Sequence, residues 1–204
     1  MKSLKILISN ALAAFLDFAV GCAGVLLLAN LTDHTLVWWQ VLIGGLLALI
    51  PDIDALPAVF TGKSAWYDHR QTPFHRPLLV IPIASSSAWL LGGWFWGLAT
   101  ALLVLWHYLH DTDWVAKRYG IAWLWPLSSS YWSWRGSFPP IAGIEHHYWL
   151  YTYWLRPSAL SVAELTIGSI LLLMVGLFVS DLTIIWYLVP SLWVIIAWLW
   201  LSSK

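Results

Sequence analysis

Residues 78–113, LLVIPIASSSAWLLGGWFWGLATALLVLWHYLHDTD, decide how this chain folds. No charged side chain occurs from Leu78 to Trp106. At ~1.5 Å per helical residue, that run is too long for one crossing of a hydrocarbon layer ~30 Å thick. Gly92-Gly93 stands near its middle, and paired glycines weaken a helix where a turn is needed. The stretch therefore predicts a hairpin of two short apolar helices. Polar groups return abruptly at its end, as His107-Tyr108-Leu109-His110-Asp111-Thr112-Asp113.

Further apolar segments lie to either side of it. They run from about Ile6 to Leu31, Leu36 to Ile50, Leu160 to Val179 and Leu182 to Leu201, separated by short polar breaks such as Thr32-Asp33-His34-Thr35 and Ser180-Asp181. Of 204 residues 60% are hydrophobic and 10% charged, with mean hydropathy +0.74. A soluble domain carries about 25% charged residues, so a bilayer is the natural solvent for this chain. The expected fold is all-α: a polytopic integral membrane bundle of about six transmembrane helices, residues 1–204 forming one membrane-embedded domain.

Charge placement supports that drawing. Six spans put both termini on one side, and every Lys and Arg (2, 5, 63, 70, 76, 117, 118, 135, 156 and 204) falls there too. The loops of the opposite side carry none, and the positive-inside rule makes the basic side cytoplasmic. Lys2 and Lys5 precede a stretch long enough to span and lacking a small-residue cleavage site, so no cleaved signal peptide is expected. Two cytoplasmic loops remain, about 51–77 and 111–159. The second is rich in Trp, among them Trp114, Trp123, Trp125, Trp132, Trp134, Trp149 and Trp154. So aromatic a loop is expected either to lie in the headgroup layer or to fold back over the helix ends as a lid.

Composition also excludes. Zero formal net charge argues against nucleic acid as a partner, because phosphate backbones need a basic excess. The single Cys22 rules out a disulfide within the chain.

Three polar clusters fall at the cytoplasmic ends of successive spans. They are Pro51-Asp52-Ile53-Asp54, then Asp68-His69-Arg70-Gln71-Thr72-Pro73-Phe74-His75-Arg76-Pro77, then His107 to Asp113. On a helix His107 and Asp111 share a face and can chelate one ion together, whereas His110 points roughly 100° away from Asp111. Asp52 and Asp54 are two apart, and an extended or turn backbone can aim both carboxylates the same way. Carboxylates gathered without a cation repel and raise one another's pKa; a divalent ion resolves the conflict. Mixed imidazole and carboxylate donors suit Zn, Mn or Fe. The competing account pairs Asp52, Asp54, Asp111 and Asp113 with Arg70, Arg76, Lys117 and Arg118 at a wet interface. Elsewhere, Asp17 in the first span is a functional candidate by its cost, but protonation or a bond to Ser85, Ser86 or Ser87 satisfies it more simply; Glu145-His146-His147 is more simply interfacial.

The order Pro-Asp-Ile-Asp, His-Arg-…-His, His-x-x-x-Asp and then Gly120-Ile121-Ala122-Trp123-Leu124-Trp125-Pro126-Leu127-Ser128 resembles the YdjM-like family. Trp154-Leu155-Arg156-Pro157-Ser158 is similar to a segment of some members. The likeness covers roughly residues 40–130 and implies an inner-membrane-associated, metal-dependent hydrolase; the family's LexA-binding label is not carried over to this chain. That family is in turn distantly similar to zinc phospholipase C and P1 nuclease. By this resemblance Asp52, Asp54, His69, His75, His107 and Asp111 are the metal ligands. Two departures stand out: Asn10 occupies the place of a first-helix Thr-His pair, and the second motif is one residue longer, ending His75-Arg76-Pro77.

The expected function is hydrolysis of a phosphoester, lipid or lipid-linked, at the cytoplasmic face of the inner membrane by a metal-activated water. Asp54, Asp68 or Asp113 would be the general base; Arg70 and Arg76 would hold a phosphate oxygen. A metal transporter or a non-catalytic interaction protein are the alternatives. A carrier normally places its site near the midplane, and these ligands gather at one face.

Overall fold

The computed structural model describes residue 8 and residues 10–55, 72–112, 120–134, 136–138 and 157–202. Among them are six α-helices: α1 (Phe15–Leu31), α2 (Trp38–Ala48), α3 (Pro77–Gly92), α4 (Trp94–Asp111), α5 (Ala159–Phe178) and α6 (Ile185–Ser202). Short 3-10 turns occupy Ile50–Ala55, Pro73–His75 and Ser180–Leu182, and one antiparallel hairpin joins β1 (Tyr131–Ser133) to β2 (Gly136–Phe138). The chain divides into two compact units, Met1–Leu46 with His146–Lys204, and Leu47–Glu145.

Among the described residues three helices are long and apolar enough to cross a membrane, and all lie in the first unit: Asn10–Leu31, Ala159–Phe178 and Ser180–Leu201. Small residues let their backbones approach, as lipid-embedded helices require in place of a hydrophobic drive. Gly168 of α5 lies against the Phe15 ring of α1. Gly44 and Gly45 of α2 meet Val25, Phe18 and Cys22 of α1. Leu12, Leu165 and Ile196 form the buried centre, and Trp193 Nε1 of α6 donates to Ser169 Oγ of α5 at 2.9 Å. A reciprocal pair of bonds starts α5: Ser158 Oγ accepts from the Ser161 amide, and Ser161 Oγ from the Ser158 amide, each at 3.0 Å. Asp17 is buried in α1. Leu177, Phe178, Tyr187, Val194, Trp198 and Leu201 face outward, a surface that water would penalise and hydrocarbon accepts.

The second unit is built on the hairpin that residues 78–113 predict. Helix α3 ends at Gly92, Gly93 takes φ +85°, and α4 begins at Trp94. That backbone conformation strains any residue with a Cβ, which is why the turn needs only one residue here. The arms pack closely at Gly97, where an added Cβ would lie 2.9 Å from Trp89 Cβ and 3.2 Å from the Ser85 carbonyl oxygen. An antiparallel pair folded about Gly93 sets residues equally distant from it side by side. His75 lies eighteen positions before Gly93 and Asp111 eighteen after, so the open end of the hairpin brings them together.

Lengths differ from six equal spans. Helix α2 has 11 residues and α3 has 16, which is ~16 Å and ~24 Å against a hydrocarbon core of ~30 Å. The aromatic loop is structured where it is described. Ile121 and Trp132 exchange backbone hydrogen bonds of 2.8 Å. Gly120 sits so close beneath the Trp132 carbonyl that a Cβ would meet it. This segment packs on α4 through a buried group of Val104, Tyr108 and Ile121, with Trp123 against it. Residues 120–134 thus fold back onto the last turns of α4, as the lid alternative expects.

Candidate metal centre

Three elements of the second unit converge. The 3-10 turn after α2 carries Asp52 and Asp54, the turn Pro73–His75 carries His75 with Arg76 next in sequence, and the last turns of α4 carry His107 and Asp111. Pro77 at the first position of α3 starts that helix with the fixed φ it needs, leaving His75 in the turn just before it.

His75 and His107 are fully buried, at 0% and 1% exposure. His75 Nε2 lies 3.4 Å from Asp111 Oδ2 and 3.7 Å from Asp52 Oδ1. His107 Nε2 lies 3.6 Å from Asp111 Oδ2 and 3.5 Å from Asp52 Oδ1. Each residue offers one donor atom, and all four atoms lie within 4.8 Å of one another. Most of these separations exceed a normal N···O hydrogen bond of ~2.7–3.2 Å. The four separations given lie slightly above the ligand–ligand edge of a tetrahedron, ~3.3 Å for metal bonds of ~2.0–2.1 Å, with the remaining two pairs within 4.8 Å. Two carboxylates and two neutral imidazoles also balance the charge of one divalent ion. A single ion can therefore be held by Asp52, His75, His107 and Asp111. Asp52 and Asp111 are partly exposed, which leaves the cluster reachable from solvent on the carboxylate side.

Asp52 and Asp54 do not aim the same way. In a 3-10 turn of about three residues per turn, positions two apart diverge by ~240°. Asp52 accordingly faces the Nε2 side of His75, while Asp54 Oδ2 faces Nδ1 at 3.9 Å. The Thr72 hydroxyl donates to Asp54 Oδ2. Asp54 is buried, at 8% exposure, and burial pushes its carboxyl above the ordinary carboxylate value; the Thr72 hydrogen bond and His75 oppose the rise, and Asp52 adds to it.

His110 stacks on Trp106, with ring centroids 6.0 Å apart, and is not one of the four, as its helical angle predicts. Arg76 donates from Nη2 to the Tyr131 hydroxyl at 3.0 Å and lies over the Tyr131 and Trp125 rings at 5.3 and 5.9 Å. The β-hairpin thereby fixes the guanidinium that follows His75. Asp68, His69, Arg70 and Asp113 lie outside the described residues, as do Lys117, Arg118, Glu145, His146 and His147.

Two contributors escape the sequence reading. Thr72 precedes the His75 turn and holds Asp54. Tyr108 is fully buried, and its ring meets both imidazoles edge-on at about 6 Å. Its hydroxyl donates to the Phe74 carbonyl at 2.5 Å, pinning the His75 turn to α4. The available signal was its place beside His107. Tyr108→Phe is expected to lower stability by about 1 kcal/mol, the net value of one such bond. It should also weaken metal binding several-fold, read from thermal unfolding and chelator competition; unchanged values on both would show that the latch carries nothing.

An open groove of about 350 Å³ lies against the same end of α4, lined chiefly by Leu109, Trp123, Leu124, Trp132 and Trp134. Two of its polar groups are engaged internally: Trp123 Nε1 donates to Thr112 Oγ1 at 2.9 Å, and that hydroxyl donates to the Tyr108 carbonyl at 2.6 Å.

Comparison with known families matches residues 15–201 to the YdjM inner membrane protein family. No curated protein and no solved structure matches the chain, so the distant similarity to zinc phospholipase C and P1 nuclease gains no support. The match runs through the candidate spans, the hairpin and the Asp/His cluster alike: this chain belongs to the YdjM inner membrane protein family.

Proposed function

We propose that the protein is a metal-dependent hydrolase of the inner membrane that cleaves a phosphoester at the cytoplasmic face. The observation that carries this reading is the convergence of four donor atoms, two imidazole and two carboxylate, at 3.4–3.7 Å spacings suited to one transition ion. Asp52, His75, His107 and Asp111 would hold the ion, Zn by donor set, with Mn or Fe compatible; His69 is the next candidate ligand. When bound, such an ion supplies Lewis acidity toward a phosphoryl oxygen and makes water acidic enough to attack. Arg76, fixed by Tyr131 and Trp125, would orient a phosphate oxygen beside the cluster, with Arg70 as a second guanidinium. Asp113, two residues beyond Asp111, would accept the proton of the attacking water.

The mainly apolar groove beside the last turn of α4, lined by Leu109, Leu124 and tryptophans, favours a lipid or lipid-linked phosphoester whose chain would lie along it. Membrane lipids are then both solvent and substrate source. In this topology the short helices α2 to α4 complete the set of about six crossings, and both termini face the cytoplasm.

Purified protein reconstituted in liposomes, loaded with Zn, Mn or Fe in turn, should release phosphate or a phosphoalcohol from soluble aryl phosphates or from phospholipid. Turnover should vanish with a chelator and return with metal. A metal-loaded protein that hydrolyses none of these but carries the ion across the liposome would make the same residues a transport site instead. Activity on soluble esters with none on any phospholipid or lipid-linked phosphate would remove the lipid assignment alone.

A further inference from the structure

Of the carboxylates at the site, Asp54 is the one the four-residue cluster does not use, and it is the most deeply buried of them. We propose that Asp54 is a positioning residue for His75, fixing the tautomer in which Nδ1 carries the proton and the Nε2 lone pair faces Asp52, His107 and Asp111. This inference rests on the reading that His75 is a metal ligand through Nε2.

The two ring nitrogens of His75 have different surroundings. Nε2 faces Asp52 and Asp111 at 3.7 and 3.4 Å, whereas Nδ1 faces Asp54 at 3.9 Å. A neutral imidazole carries one N–H. With that proton on Nε2 it would point into the cluster and prevent ligation; with the proton on Nδ1 the lone pair is free where the other donors gather. At 3.9 Å the Asp54 oxygen is beyond direct hydrogen-bond length from Nδ1, so it favours the second arrangement electrostatically, in the same sense as the outer-shell carboxylates behind metal-bound histidines.

Asp54 is itself held for the task. It shares the Ile50–Ala55 turn with Asp52, so one rigid element presents one carboxylate to each side of the ring. The Thr72 hydroxyl donates to its Oδ2, and the Thr72 carbonyl accepts from the His75 amide at 3.1 Å. Thr72 therefore ties the carboxylate to the same turn that carries the imidazole. The other oxygen, Oδ1, is buried and has no hydrogen-bond partner among the described residues. An unbonded buried carboxyl oxygen is costly, and the group's place beside Nδ1 is the evident return.

The test uses the whole protein in detergent with Co(II) as probe, comparing wild type, Asp54→Asn, Thr72→Val and Asp52→Ala. The expected result for Asp54→Asn is metal affinity reduced about 10–100-fold, the usual effect of losing an outer-shell partner. Its stoichiometry and Co(II) visible spectrum should match wild type, since the coordinating atoms are unchanged. Thr72→Val should move affinity in the same direction by less, and Asp52→Ala should alter the spectrum or abolish binding. Unchanged affinity in Asp54→Asn, with helicity intact, would overturn the proposal; so would a changed Co(II) spectrum, which would make Asp54 a ligand. A wild type that binds no Co(II) would remove the metal reading and this inference together, so the two failures are told apart.

Discussion

His107→Ala is expected to reduce metal affinity by more than ~100-fold, beyond the upper range for losing an outer-shell partner, because it removes a donor atom from the centre itself. Its Nε2 makes two of the four short edges, to Asp52 and Asp111. The variant leaves those two carboxylates close together with one donor fewer to share a cation with. Binding that survives should then weaken further as pH falls. Overall stability should drop much less, because the helix is held elsewhere by Val104, Tyr108 and Ile121. Elemental analysis and circular dichroism on the same preparation separate these effects. A folded His107→Ala protein that keeps wild-type metal content would place the ion somewhere other than this cluster.

Gly97→Leu should have the second largest effect, on stability and metal binding together. A Cβ at residue 97 would already crowd Trp89 Cβ and the Ser85 carbonyl oxygen, and neither can move without parting α3 from α4. Overpacking of this kind costs about 1–3 kcal/mol, with Leu exceeding Ala. The expected consequence at a distance follows from the fold: a hairpin splayed at Gly97 moves the His75 turn away from Asp111, ten residues and more from the substitution. Thermal unfolding of Gly97→Ala and Gly97→Leu in detergent, with metal affinity measured beside it, should show both quantities falling in that order. Loss of stability with unchanged affinity would mean that the His75 turn is anchored independently of the hairpin, through Tyr108 and Thr72.

Much of the site could be read before the fold. Gly92-Gly93 interrupts an apolar run too long for one crossing, and the hairpin it predicts puts the His75 cluster and the His107–Asp113 cluster at the same end. The four-residue spacing of His107 and Asp111 gives a shared helical face and removes His110 from it. What could not be read is how the chain turns after α2. An extended Pro-Asp-Ile-Asp would present both carboxylates to one ion; a 3-10 turn splits them across the two nitrogens of His75. Sequence patterning does not separate those two backbones over so few residues. Tyr108 was invisible for another reason: in an apolar helix a tyrosine reads as packing, and only the fold brings the Phe74 carbonyl to its hydroxyl. One boundary was not legible either. Leu36 to Ile50 reads as a span, yet α2 stops at Ala48 and the chain tightens into the turn that carries Asp52 and Asp54.

The membrane itself follows from two independent facts. Three helices have the length and apolarity to cross, and the outward faces of α5 and α6 are Leu, Ile, Val, Phe and Trp, which only hydrocarbon tolerates on this scale. A cluster of buried His and partly exposed Asp in such a chain requires either a cation or a proton on each offending group. The four spacings of 3.4–3.7 Å favour the cation.

Elemental analysis of the wild-type protein, purified in detergent from metal-replete medium without chelator, tests that claim most directly. The account predicts about one transition-metal ion per folded chain, absent from His107→Ala. A folded wild-type protein with no bound metal under those conditions would contradict it.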